Sequence, residues 1–202
     1  MTLQPLLAVN TLSCERGGRR LFSPVSLSVL PGDYVELIGA NGSGKSTLLR
    51  TLAGLHSQFT GEYHSQDTLY QGHQLGLDGL LTPLENLAWL AGLEDHTLDH
   101  ETTLNALDRT GVLTMAYSLC AAMSAGQQRR VAMARWVLSS RKLWLLDEPL
   151  TALDASAQDL LRDVIAEHCA KGGAVICATH NAIAIDGKSE LILDASIAET
   201  LP

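Results

Sequence analysis

Charge is scarce in this chain, and what there is leans acidic. Asp, Glu, Lys and Arg make up 18% of 202 residues and leave a formal net charge of −8, against roughly a quarter charged in an average globular domain. No basic field gathers nucleic acid, so a nucleic-acid partner is disfavoured. Long apolar runs are missing too. The most apolar stretches, around 80–93 and 143–146, are broken by Glu85 and Asn86 or are far too short to span a bilayer, and no transmembrane helix is expected. The N-terminus has no charged segment ahead of an apolar one and does not read as a signal peptide. CxxC pairs are absent: Cys14, Cys120, Cys169 and Cys177 are widely spaced and suit buried thiols in a reducing compartment, not a disulfide or zinc framework. A cytoplasmic chain is the expectation. Low-complexity linkers and repeats are also lacking. With 46% hydrophobic residues, the chain can build one well-cored domain, and a single domain over 1–202 is expected.

What the chain does have is an alternation of strand and helix signals. Ser26–Val29 and Tyr34–Ile38 read as strands joined by a Pro31-Gly32-Asp33 turn. Thr82-Pro83-Leu84-Glu85 is a capping box with proline at the first helical position, opening a helix that Gly92 can close. A further helix is expected over Glu101–Arg109. Leu143–Leu146 and Ala174–Ala178 are wholly apolar runs, the pattern of strands covered on both faces. Between them, Leu160, Leu161, Val164 and Ile165 recur at helical spacing until Gly172-Gly173. Strand, helix, strand in that order predicts an α/β fold with a parallel-sheet core.

The strand ending at Ile38 runs straight into Gly39-Ala40-Asn41-Gly42-Ser43-Gly44-Lys45-Ser46, followed by Thr47. This satisfies the phosphate-loop pattern GxxxxGK[ST] in its required place, after a strand and before a helix. Its glycines let successive backbone N–H groups turn inward around a β-phosphate, Lys45 reaches the β/γ oxygens, and Ser46 ligates Mg²⁺. The bland alternative is a Gly-rich turn with a surface lysine. A phosphate loop also needs a metal-positioning carboxylate on a neighbouring strand, and Asp147 stands at the end of the Leu143–Leu146 run. Glu148, next to it but pointing differently, is placed to polarise an attacking water as general base. His180 lies just beyond Ala174–Ala178, where it can reach a γ-phosphate and orient that water.

Met123-Ser124-Ala125-Gly126-Gln127 admits two readings. Ser124 with Gln127 is a helix-starting capping box, and the same helix end, with a hydroxyl and a glycine, suits phosphate. Taken in order, the phosphate loop, this segment, Asp147-Glu148, Thr151-Ala152-Leu153-Asp154 and His180 resemble the ATP-binding-cassette family across nearly the whole chain. There the segment is the signature motif, usually Leu-Ser-Gly-Gly-Gln. Met123 and Ala125 depart from it, while Ser124, Gly126 and Gln127 match. The resemblance implies that both readings hold at once, the capped helix presenting its N-terminus to the γ-phosphate of ATP on a second copy of the chain. It implies that Asp154 belongs to the D-loop at that seam. Gln74 becomes the Q-loop glutamine, which senses the metal and faces a transmembrane subunit. It implies a P-loop NTPase fold with an N-terminal antiparallel β region and a small helical subdomain, about 75–122, inserted in the parallel core. ATP and Mg²⁺ are the implied cofactors; a second copy and separate transmembrane subunits are the implied partners.

The family stacks an aromatic on adenine from a position upstream of the phosphate loop, and here that stretch reads Cys14-Glu15-Arg16-Gly17. A guanidinium plane at Arg16 can stack on a base, or Arg16 is a solvated charge. Cys14-Glu15-Arg16 before Leu21-Phe22, Gly72-His73-Gln74 leading to Leu81-Thr82-Pro83-Leu84-Glu85-Asn86-Leu87, and Ser124–Ala132 resemble a narrower group, the ATP-binding subunits of bacterial haem exporters in cytochrome c maturation. That group usually has Pro where Leu75 stands, and a Lys where Asp78 and Gly79 stand. The narrower resemblance implies an ATPase at the cytoplasmic face of the inner membrane, with no direct haem ligation, since no His or Cys pair here looks like a haem site. A motor for another cargo shares every catalytic motif. An apolar groove with Leu77, Leu80 and Leu81 is expected to receive a membrane subunit's cytoplasmic helix.

Overall fold

The computed structural model describes residues 4–94, 97–180 and 182–194. Its elements run β1 (Leu7–Arg16), β2 (Arg19–Arg20), β3 (Val25–Val29), β4 (Tyr34–Ile38), α1 (Lys45–Leu52), β5 (Phe59–Ser65), β6 (Thr68–Gln71), α2 (Pro83–Gly92), α3 (His100–Arg109), α4 (Ala125–Leu138), β7 (Leu143–Asp147), α5 (Ala155–Ala170), β8 (Ala174–Ala178) and β9 (Ser189–Ile192). They fall into two compact units. The described part of the first takes in residues 4–73, 141–149 and 165–194, and the second takes in 74–140 and 150–164.

The first unit holds both sheets. Five strands pair in the order β6-β7-β8-β4-β9, every pair parallel. β7 and β8 are buried at every residue, which is why they read as unbroken apolar runs rather than alternating ones. The second sheet is antiparallel: β1 pairs with β2, β3 and β5. Leu7, Leu12, Phe22, Leu37, Leu48, Leu49, Leu145 and Ile176 form one core between these elements. Because parallel strands share a direction, the loops leaving β4, β7 and β8 emerge at one edge, with β8 between the other two. In open α/β sheets that carboxyl edge is where ligands bind.

The second unit is helical. Leu87, Leu107, Val131 and Ala134 are buried in its core, with Met123, Ala116 and Cys120 beside them. Thr82 opens α2 as a full capping box: the Glu85 N–H donates to Thr82 Oγ1 at 3.3 Å and the Thr82 N–H donates to Glu85 Oε2 at 2.8 Å. Asp99 caps α3 by accepting the Thr102 N–H at 2.8 Å, and the helix starts one residue earlier than the expected Glu101. Asn86 is fully buried on α2, and its amide donates to the carbonyls of Asp78, Leu81 and Thr82. The loop before the helix is thereby tied to its first turn.

Candidate nucleotide site

β4 delivers the phosphate loop. A side chain at Gly39 would come within 2.5 Å of Ser43 Oγ and 2.9 Å of the Leu193 carbonyl, so only glycine fits where the loop folds back. Gly44 sits at φ 100 as the N-cap of α1, and a Cβ there would meet the Phe22 ring at 2.8 Å. With glycine at its cap, α1 starts without a side-chain hydrogen bond. The first N–H groups of a helix have no intrahelical partner, and they carry the positive end of its dipole. Lys45 is buried, its ammonium donating to Gly39 O at 2.6 Å and Ala40 O at 3.2 Å. Ser46 and Thr47 follow, half-buried, while Ala40, Asn41 and Gly42 are exposed at the rim.

β7 ends at Asp147, 2% exposed, whose Oδ2 is buried without a hydrogen-bond partner; Ser43 Oγ in the phosphate loop is in the same condition. Buried polar atoms left unpaired cost about 1–3 kcal/mol each, so two of them at one sheet edge mark a place built for something polar. Glu148 takes a left-handed backbone conformation, φ 54. A non-glycine residue held there carries strain of order 1–3 kcal/mol, which is characteristic of working sites. Its N–H donates to the Ala178 carbonyl at 2.8 Å, and its Oε1 lies 3.3 Å from His180 Nε2. Glu148, expected as the base, and His180, expected to orient water, are thus one contacting pair. The Glu148 carboxylate is largely covered, and the His180 ring is half exposed.

In the second unit, Ser124 caps α4 in both directions: the Gln127 N–H donates to Ser124 Oγ at 3.2 Å and the Ser124 N–H donates to Gln127 Oε1 at 2.8 Å. Ser124, Gly126, Gln127 and Asp154 line one cavity of about 300 Å³, together with Arg130 and Leu153. The two departures from the usual signature explain themselves. Met123 is a buried core residue, as a leucine would be, and Ala125 is exposed, so its methyl group displaces nothing. Gly126 is the tight position, a Cβ there lying 3.2 Å from the Ala152 carbonyl.

Arg130 was not among the expected residues. Its guanidinium donates to Asp154 Oδ1 at 3.3 Å, Ser156 Oγ at 3.2 Å and the Thr110 carbonyl at 3.2 Å, joining the signature helix to the start of α5. Its place three residues after Gln127 was the available signal. Gln74 is exposed and is not among the residues lining this cavity. Arg16 is exposed at the end of β1. Of the residues expected in a docking groove, Leu80 is exposed, Leu81 is half-buried, and Leu77 is half-buried with part of its side chain packed against the helical core. Among the described residues no helix is long and apolar enough to cross a membrane.

The sequence pattern of the ABC transporter family matches residues 22–151. A cytochrome c biogenesis ATP-binding export protein of Pseudomonas savastanoi pv. phaseolicola is 44% identical over 192 residues, covering 89% of this chain and 90% of that protein. Its counterpart in Hahella chejuensis is 43% identical over 198 residues, covering 91% and 93%. Among solved structures, an ATP binding subunit of an ABC transporter superposes with a TM-score of 0.83 at 25% identity, covering 97% of this chain and 90% of that one. An ABC transporter ATP-binding protein from Pyrococcus furiosus gives 0.82 at 21% identity over 93% and 96%, a likeness of fold alone.

Proposed function

Because this chain belongs to the ABC transporter family, we propose that it is the ATP-hydrolysing motor subunit of the haem export complex of cytochrome c biogenesis. The ABC ATPase function is the family's, as are dimerisation and membrane partners in general. The narrower reading is carried by identity of 44% and 43% to cytochrome c biogenesis export proteins, sustained over nine-tenths of both chains. In that reading the chain sits at the cytoplasmic face of the inner membrane, beside separate transmembrane subunits, with a second copy of itself as its ATP-dependent partner.

The phosphate loop, residues 39–47, wraps the triphosphate, and Lys45 turns from its own loop carbonyls to the β/γ oxygens. Mg²⁺ suits the residues present: the unpartnered Asp147 Oδ2 and the Ser46 hydroxyl are the hard oxygen donors it prefers. When bound, Mg²⁺ neutralises charge on the phosphate oxygens. Glu148 takes the proton of the attacking water, and His180, 3.3 Å from it, keeps that water and the γ-phosphate in line. Ser124, Gly126 and Gln127 meet the γ-phosphate bound on the other copy, and Asp154 lies along the seam.

The test is purification of the chain with its native membrane partner from solubilised membranes, followed by absorbance spectroscopy. A Soret band that co-elutes with the complex is expected. A complex that hydrolyses ATP yet carries another cargo and never haem overturns the export assignment while leaving the ATPase in place.

A further inference from the structure

Glu36 is a charge where the sheet has no use for one. It stands in β4 between β8 and β9, level with Cys177 on one side and Glu190 on the other, and its side chain is 4% exposed. Isolating a carboxylate from water costs several kcal/mol unless its oxygens are engaged, and nothing in the nucleotide chemistry above uses it. Its oxygens are engaged. Oε1 accepts the Ile183 N–H at 2.8 Å and the Tyr34 hydroxyl at 3.2 Å; Oε2 accepts the Lys188 ammonium at 2.9 Å. Burial pushes the Tyr34 hydroxyl and the Cys177 thiol well above their ordinary values, so both stay neutral beside it.

Two of its three partners lie on the connection from β8 to β9, the segment that begins with Thr179 and His180. His180 is two residues past Ala178, which is fixed by the sheet and by the Glu148 N–H. Three residues further on, the Ile183 N–H is fixed by Glu36. The Ile183 side chain is buried as well, but an apolar contact has no direction, whereas the hydrogen bond sets how the backbone is turned. We propose that Glu36 is a positioning residue for ATP hydrolysis: it holds the return of the His180 segment and so keeps the imidazole against Glu148. This rests on the reading of His180 given above. Reacting groups need to be held within about 0.5 Å of working geometry, and the Ile183 N–H to Glu36 bond ties the return of this segment to β4.

The test replaces the pair rather than breaking it. Glu36→Met with Lys188→Met removes both charges at similar volume, an exchange that is often neutral or stabilising in a buried site, and leaves the Ile183 N–H without an acceptor. In steady-state ATP hydrolysis by the full chain, kcat is expected to fall about tenfold with KM for ATP nearly unchanged, while the melting temperature drops by several degrees because the Ile183 N–H and the Tyr34 hydroxyl lose their acceptor. Glu36→Gln, whose amide oxygen can still accept the Ile183 N–H, is expected to stay within about threefold of the original. In a His180→Ala background the double Met change should cost nothing further, because the group it positions is gone. An unchanged kcat in the double Met protein overturns the proposal, and so does an equal further loss in the His180→Ala background. Full activity of His180→Ala itself would instead overturn the role of His180, and with it this inference.

Discussion

Every group proposed to meet the triphosphate acts on phosphate, and none of these residues reads the base. The loop of residues 39–44, the Lys45 ammonium and the uncapped start of α1 all act on charge. The stretch where the resemblance places an aromatic, Cys14–Gly17, includes Arg16, an exposed residue at the end of β1. A guanidinium over a base contributes about 1 kcal/mol of attraction and does so for either purine. GTP is therefore expected to compete with ATP within about tenfold, equivalent to ~1.4 kcal/mol, and Arg16→Ala should weaken both nucleotides alike. Competition binding with a fluorescent ATP analogue measures this directly. A several-hundredfold preference for ATP would mean that another segment reads the adenine.

At the scale of elements, α4 is where folding and binding share the same atoms. Ser124 Oγ accepts a backbone N–H of its own helix, and it is also the hydroxyl proposed to meet phosphate. Ser124→Ala removes both roles, with a stability loss of about 1 kcal/mol for the cap. Ser124→Asp separates them, since aspartate caps as well as serine but sets a negative charge against the anion. The aspartate variant should melt within a degree or two of the original and yet lose ATP-driven association; a loss of both would mean that the geometry of the cap is not retained. The capping boxes at Thr82 and Ser124 were legible because a cap is a local rule, decided within four residues. β8 was legible to the residue and β7 to within one because burial on both faces leaves an apolar run; β4, despite Glu36, was legible because the Pro31-Gly32-Asp33 turn and Gly39 bound it. β1, β5 and β9 were not read individually: their exposure alternates or dominates, and polar residues such as Glu62, His64 and Glu190 hide the period. The order β6-β7-β8-β4-β9 was beyond reach, since crossovers set it. So was the bond from Glu36 to Ile183, which joins residues 147 positions apart. The phosphate loop, Asp147, Glu148 and His180 could be read because each sits directly at the end of a strand that could itself be read.

On the scale of the whole molecule, the proposed chemistry is divided between two copies. Glu148→Gln removes the proposed base while leaving Asp147, the proposed metal ligand, and the phosphate loop intact. It is expected to bind ATP normally and to lose turnover by a hundredfold or more, about 2.7 kcal/mol of barrier. With hydrolysis stalled, light scattering should show a monomer becoming a dimer on addition of ATP. An unchanged mass with ATP fully bound would count against a shared site. The capping of Ser124 bears on why the two copies should wait for nucleotide at all. Its oxygen is already accepting an N–H from Gln127, so the proton it carries is what it offers outward, alongside the first amides of α4. The phosphate loop, through the uncapped start of α1 and the Lys45 ammonium, likewise offers protons. The groups proposed to contact phosphate on the two faces are mainly donors and gain little from one another, and at a net charge of −8 per chain the two copies have a reason to stay apart. A triphosphate consists almost entirely of acceptors. In the proposed sandwich, association is thus conditional: the nucleotide brings the acceptors that the phosphate-contacting donors on both sides need.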